Sequence, residues 1–493
     1  MGLSATLSIA TGGLANVQSQ LALVSHNVAN ASTPGYAAEV GTQQSLDADG
    51  TGYGVRTGPA TRNIDMALQA QVFSQNATVA GLQTRQSALQ AIDAVQGTPG
   101  QNTDIASLLT NLQSQFSTLL NDPSNQAQQS QVVSSATNLA RNINTLSNAY
   151  TTQRQAAQDN IVAEVSLLNT TLGAIGNLSD KIVTAKASGQ STADFENQRD
   201  AAVATLSQLV DVKLLQQPNG DVLVTTSAGL PLPTHSAANQ LSTSDANVQP
   251  GASYPATIPP IMLGGVDVTQ QLQGGQIGAN IALRDTTLPT DQGELDEFAQ
   301  NMASRFSANG LTLFTDPVGN VPAQSAPPLP VQTNYVGFAA TIQVDQAVQQ
   351  TPSLVRDGNP QVNLPPTQYA GFSNVINAVL NTTFGSTPVL GTNTSGLGPT
   401  ATLSAPYSAP TTLVGLAATM TAAQAQDSAS TSSQLSTEQA VQTTLSGKLS
   451  SQSGVDMDTE MSSMIALQNS YGANAKVIAA VQAMWTQLLN TVS

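Results

Sequence analysis

The chain of 493 residues has no cysteine, two histidines, one tryptophan and little charge: Asp, Glu, Lys and Arg make up 9% of it and aromatics 4%. About a quarter of a typical soluble domain is charged. Without cysteine there is no disulfide framework and no thiolate chemistry, and the chain suits passage between redox compartments. His26 and His235 each lack a second His, a Ser or an Asp at a catalytic or metal-ligand spacing, so no catalytic residues, metal site or cofactor are expected. The net charge of −16 comes with no Lys/Arg stripe, which excludes a nucleic-acid partner. No run approaches the roughly 18 apolar residues of a membrane span, and no basic segment precedes the first apolar residues, so neither a membrane partner nor a cleavable signal peptide is expected.

What is present is periodicity. The first charged side chain is Glu39, and the residues before it read as an amphipathic helix. Leu3, Leu7, Ala10, Leu14, Val17, Leu21, Val24 and Val28 follow alternating steps of four and three. At the other end Met457, Met461, Met464, Tyr471, Ala475, Ile478, Trp485, Leu489 and Val492 fit the same spacing, with Gln468 and Gln482 as polar intruders. Each helix alone is marginal in water. The two are expected to pair with each other and then with neighbouring copies, and Trp485 is expected to meet Leu14 or Leu21.

Between the ends, Thr33-Pro34-Gly35-Tyr36 carries the type II turn signature, and Asn30 suits a left-handed helix end. Asp47-Ala48-Asp49-Gly50 reads as an Asx-type turn rather than a calcium loop. Helical spacing runs from Asn63 to Gly97, from about 104 to 120, from about 126 to 188 and from about 192 to 210. Asn219-Gly220 between Val212-Lys213-Leu214 and Val222-Leu223-Val224 predicts a hairpin. Asp194, Glu196, Arg199 and Asp200 read as a solvated or locally paired helix start. Residues 316–410 hold 13 of the 25 prolines and almost no charge, which predicts a removable surface insertion. Asp456 is placed to cap the last helix.

The expected fold is multidomain and mainly α, with paired coiled-coil-like terminal helices, a long-helix bundle and β-rich inserted domains. Its units are 1–35 with 455–493 as a terminal helical assembly domain; 36–210 with 281–315 and 413–454 as the helical bundle; 211–280 as a β-rich segment; and 316–412 as a β/loop-rich variable insertion.

The segment NVANASTPGY at 27–36 resembles the N-terminal signature of bacterial flagellar rod, hook and hook-associated proteins. LQNSYGANAKVIAAVQAMWTQLL at 467–489 is similar to the matching C-terminal end, and ENQRDAAVATLSQLVDV at 196–212 to a helix-to-strand junction of the hook-associated members, with Asn197 standing where an Asp is usual. GGQIGANIALRDTTLP at 274–289 and ATIQVDQAVQQTPSLVRDGN at 340–359 extend that likeness. The resemblance marks Asn27, Asn30, Thr33, Pro34, Gly35, Tyr36, Gln198, Arg199 and Asp200 as family positions. It makes Leu3, Leu7, Leu14, Val17, Leu21, Val24, Val28, Met461, Met464, Tyr471, Ile478, Trp485 and Leu489 the expected assembly interface. It implies a non-enzymatic, secreted structural protein of the bacterial flagellum, at the distal end of the hook. Its implied partners are copies of itself in a ring or tube, the hook protein, the next hook-associated protein and a cytoplasmic export chaperone. The alternatives are a hook or distal-rod protein, which would be mostly β between its ends, and a secreted adhesin using 316–410.

Overall fold

The computed structural model describes residues 3–48, 51–97, 103–235, 239–324, 332–359, 369–388 and 390–492, with the Leu3 side chain and the Asp49-Gly50 tip outside them. Helix α1 (Leu3–Asn30) is followed by β1 (Glu39–Val40), β2 (Gln43–Ala48), β3 (Thr51–Thr57) and β4 (Thr61–Arg62), paired β2 with β3 and β1 with β4. Four helices then form the body: α2 (Met66–Gln96), α3 (Ile105–Asn121), α4 (Gln126–Ala187) and α5 (Ala193–Leu209). Three of their starts are capped by side chains: Asp65 accepts from Ala67 and Leu68, Asp104 from Ser107, and Asn125 from Gln128. At 1.5 Å per residue the 62 residues of α4 span about 90 Å.

Strands β5 (Val212–Gln216) and β6 (Val222–Thr226) form the hairpin over Asn219-Gly220, in register from Val212 opposite Thr226 to Gln216 opposite Val222. A small three-stranded sheet of β7 (Leu241–Ser242), β8 (Met262–Leu263) and β9 (Val266–Asp267) follows. Helix α6 (Gly275–Ala282) runs through one π-helical turn, Leu283–Thr287, into α7 (Leu288–Ala308). After 41-residue α12 (Leu413–Ser453), the chain breaks at Gly454 and ends in α13 (Met457–Val492), whose start Asp456 caps through Asp458. The mainly helical, multidomain expectation holds.

Helix α4 threads two cores. Its N-terminal half, from Val132 to Ala157, packs with α3, α7 and the start of α12; its C-terminal half, from Ile161 to Ile175, packs with α5, the β5–β6 hairpin and α6. One stretch of α4 is apolar and long enough to cross a membrane by composition alone. Burial of its apolar face in these two cores accounts for that.

The expected surface insertion at 316–412 is corrected by the structure. Most of its regular structure is helical: α8 (Phe338–Thr341), α9 (Gln346–Gln350), α10 (Leu354–Asp357) and α11 (Asn374–Ala378). The strand pairs around them are of only two or three residues, β10 (Phe314–Thr315) with β11 (Gln343–Val344) and β12 (Ser395–Leu397) with β13 (Leu403–Ser404). Tyr335, Phe338, Ile342, Val348, Val355, Ile376 and Phe384 belong to the same core as α3, α4 and α7. Phe384 lies 6.5 Å from Phe116 of α3 and 5.7 Å from Phe306 of α7, ring centre to ring centre. Arg305 of α7 donates to the carbonyls of Thr382, Thr383, Gly385 and Pro388. The prolines shape short turns, but the apolar residues between them face inward.

Phe384→Ala is therefore expected to lower the unfolding free energy of the helical body by about 3–5 kcal/mol, as for a buried core aromatic. Denaturant titration followed by circular dichroism measures it; a loss under about 1 kcal/mol would restore the surface-insertion reading.

Candidate assembly site: the terminal helix pair and its root

Helices α1 and α13 run antiparallel, with Gly13 against Asn474 and Asn27 against Glu460. A Cβ at Gly13 would sit 3.3 Å from the Asn474 side-chain oxygen, so the glycine lets the helices approach closely. The other side of α1 rests on the β2–β3 hairpin, where Thr57 Oγ1 donates to the buried Asn16. Val17 and Val24 of the α1 stripe are buried, and Leu7, Leu14, Leu21 and Val28 are half-buried.

On α13 the contact line differs from the expected one. Met464, Leu467, Asn474, Ile478 and Val481 turn inward, Val481 being 3% exposed, while Gln468 and Gln482 face outward. A 4-3 and a 3-4 reading share Met464, Tyr471, Ile478 and Trp485, and where they differ the structure covers the second, at Leu467, Asn474 and Val481. It substitutes Leu467 and Val481 for the two polar intruders. Met461, Tyr471, Trp485 and Leu489 are exposed, Trp485 at 50%. The antiparallel register places Trp485 opposite the start of α1, so it does not meet Leu14 or Leu21.

At the root of this pair the family positions converge. The chain leaves α1 through a turn in which Tyr36 N–H donates to Thr33 O at 3.2 Å and Gly35 takes φ +75°. Asn30 remains helical rather than left-handed; its amide donates to His26 O at 3.0 Å. Asn27 makes four bonds. Its Nδ2 donates to Glu39 O (2.9 Å) and Glu460 Oε1 (2.8 Å), and its Oδ1 accepts from Glu39 N–H (3.0 Å) and Tyr36 Oη (3.0 Å). One amide thus ties α1, β1 and α13 together. Ala38 N–H donates to Ser453 O at 2.7 Å, joining the second connection to the first.

Helix α5 supplies the other half. Asn197 pairs with the backbone of Ala37 in both directions, accepting its N–H at 3.2 Å and donating to its carbonyl at 3.1 Å. Arg62, with a side chain 4% exposed, reaches Glu196, Asn197 and Asp200 at 3.0, 2.9 and 2.8 Å, and Gln69 adds a bond to Asp200. Glu196 and Asp200 are therefore not a solvated helix start but the anchor of a long-range network around Arg62, while Asp194 is exposed and locally paired with Gln198. Arg199 points elsewhere, to Gly220 O in the hairpin turn, and Gln198 faces solvent. Glu39 is buried here, and burial pushes its carboxyl above the usual range, offset by His26, Arg62 and the Asn197 amide. Tyr36 is likewise raised, by burial and by Glu39. Glu39, Arg62, Glu460, Leu467 and Val481 were not among the expected site residues. Glu39 as the first charge in the chain was the one available hint.

Residues 89–316 match the family model described as the flagellar hook-associated protein FlgK helical domain. Residues 446–491 match the flagellar basal body rod FlgEFG protein C-terminal model, and 7–36 the flagella basal body rod protein model. Over 314 residues the chain is 23% identical to flagellar hook-associated protein 1 of Salmonella typhimurium and to that of Salmonella typhi. Each alignment covers 62% of this chain and 56% of the relative, so the chain spans little more than half their length. The flagellar hook junction protein FlgK from Burkholderia pseudomallei is similar at 25% identity and a TM-score of 0.42, over 52% of this chain and 47% of that one.

Asn197→Asp keeps the side chain's shape but removes the donor to Ala37 O, and it sets a second carboxylate 3.5 Å from Glu39 Oε1. Losing one buried bond is worth about 1–1.5 kcal/mol, so amide exchange at Ala37 and Glu39 should quicken about tenfold. Unchanged exchange at both would show that the root is held without Asn197.

Proposed function

From its membership of the family of flagellar rod, hook and hook-associated proteins, we propose that this chain is a structural subunit of the junction between the flagellar hook and the filament. The match over 89–316, to a hook-associated helical domain, supports the junction over a hook or rod position. The observation that carries the mechanism is the set of apolar residues that α13 leaves uncovered. Met461, Ile465, Met484, Trp485, Leu488 and Leu489 remain between 46% and 60% exposed although α1 is already packed on the same helix. Covering the exposed half of each by a neighbour would contribute on the order of 1 kcal/mol. The α1–α13 pair is thus a unit with apolar residues of α13 satisfied within the chain along its middle and others, toward its two ends, left for the assembly.

Adjacent copies would meet through different patches of the same pair, a heterologous contact that extends into a ring or tube. The hook protein lies below this ring and the next hook-associated protein above it. The subunit reaches that place by type III export, accompanied inside the cell by a chaperone, and assembles outside. Its root fixes the direction in which the pair leaves the bundle, and so the geometry of the ring. The role is structural, not catalytic.

A strain lacking the protein is expected to carry hooks without filaments and to release filament protein into the medium. Complementation with Trp485→Ala should reproduce that phenotype while thermal unfolding of the purified helical body stays nearly unchanged, since truncating an interface aromatic costs about 2 kcal/mol or more of association only. Filaments restored by Trp485→Ala would remove the α13 face from the mechanism. A deletion strain without hooks would move the protein to the hook or rod.

A further inference from the structure

Helix α7 buries acid in a chain that has little charge to spend. Glu294, Asp296 and Glu297 are 2%, 1% and 1% exposed, and Asp291 lies half-buried one turn ahead of Glu294. Two of the four are well satisfied. Asp296 accepts from the N–H groups of Gly337 and Ala339 and from Gln292; Glu297 accepts from Tyr335 Oη, Asn301 Nδ2 and Asn393 N–H. Glu294 differs. Neither of its oxygens meets a donor at full hydrogen-bond geometry, although the Tyr407 hydroxyl sits close enough to act on it.

The groups around Glu294 come from every element packed there. Asp291 and Glu297 share its helix, Tyr150 comes from α4, Tyr407 from the connection leading into α12, Gln424 and Asp427 from α12, and Arg85 from α2. Arg85 is the cation of this group, and its guanidinium is already committed to both oxygens of Asp427, at 2.7 and 2.8 Å. An ionised Glu294 would therefore be a buried charge without a counterion, facing a second carboxylate, which a low-dielectric interior does not tolerate.

We propose that Glu294 with Asp291 forms a proton latch: the helical body closes on them as neutral acids, and their ionisation drives α7 from Tyr407 and the first half of α12. The physical causes agree with the geometry. Burial first, and then a neighbouring carboxylate, Asp291 for Glu294 and Asp427 for Asp291, hold both carboxyls well above the usual carboxylate range. In the unfolded chain these groups titrate near ordinary values, so above about pH 4–5 the folded state binds protons that the unfolded chain has released. Stability from the latch is complete below the unfolded-state value and is lost as pH rises toward the folded-state one. Within that window each group lowers the folding equilibrium about tenfold per pH unit. The medium into which the chain emerges would then set how firmly the body closes. The latch itself does not depend on the junction reading.

The test compares denaturant unfolding of the full chain and its Glu294→Gln variant between about pH 5 and about pH 9. The variant's folding equilibrium should fall less steeply, by about a factor of ten per pH unit, and it should be the more stable protein at the alkaline end. Parallel profiles would overturn the latch. If Glu294→Gln does not fold, the infrared spectrum of the wild type at neutral pH decides: a carboxylic-acid carbonyl band that vanishes on unfolding and shifts in Asp291→Asn supports the latch, and a folded protein without that band refutes it.

Discussion

Both ends of this chain must leave the helical body at one point, and the Asn27 amide makes that possible. Residues 31–38 lead out of α1 and 454–456 lead into α13, so the terminal pair would swing freely if these connections were not joined. Asn27 joins them by supplying two donors and accepting twice, to a β-strand backbone, a tyrosine and a glutamate more than four hundred residues away. Neither a carboxylate nor an ammonium could do this, because each offers one polarity alone. Asn197 repeats the logic on the facing helix, where its amide pairs with the Ala37 backbone as a strand would. The order of the root sets the direction of the pair, and with it which apolar residues of α13 remain available to neighbours.

The scarcity of charge has a counterpart inside. Several of the few arginines serve as spools for irregular backbone rather than as surface charge. Arg154, 1% exposed, donates to the carbonyls of Gln249, Pro250, Ala252 and Arg284, and Arg305 does the same for 382–388. A guanidinium has five donors in a fixed fork and suits loops whose carbonyls have no ladder to join. The segments 239–274 and 369–412, poor in long elements, are held to the body in this way and by side-chain amides such as Gln332, which bonds Gly293 O and Gly398 N–H.

The helices were legible because their apolar residues recur over many turns. The stripe from Leu139 to Ile182 on α4 and that from Leu68 to Ile92 on α2 are the faces that the cores cover. The C-terminal seam was harder. Steps of four-three and three-four from Met464 both return to Tyr471 and Ile478, and the spacing alone gives no reason to choose Leu467 over Gln468. Residues 316–412 were misread because their apolar side chains sit on four- and five-residue helices, too short to show a period, and clustered prolines suggested exposure. The root was illegible for another reason. Its bonds link 27 with 460, 37 with 197 and 62 with 200, and nothing local in the sequence marks such pairs.

The place where the two cores meet along α4 has a mechanical meaning. Around the boundary between Ala157, the last α4 residue of one core, and Ile161, the first of the other, the helix presents Arg154 and Gln158. These bond to Arg284, in the π-helical turn of the neighbouring α6–α7 rod. Two stiff beams thus run side by side and are riveted at mid-length by directional bonds, whereas an apolar contact there would let one slide over the other. A twisting moment applied at either end of the body would pass through that collar, and the molecule would respond as a braced shaft with one defined plane of give.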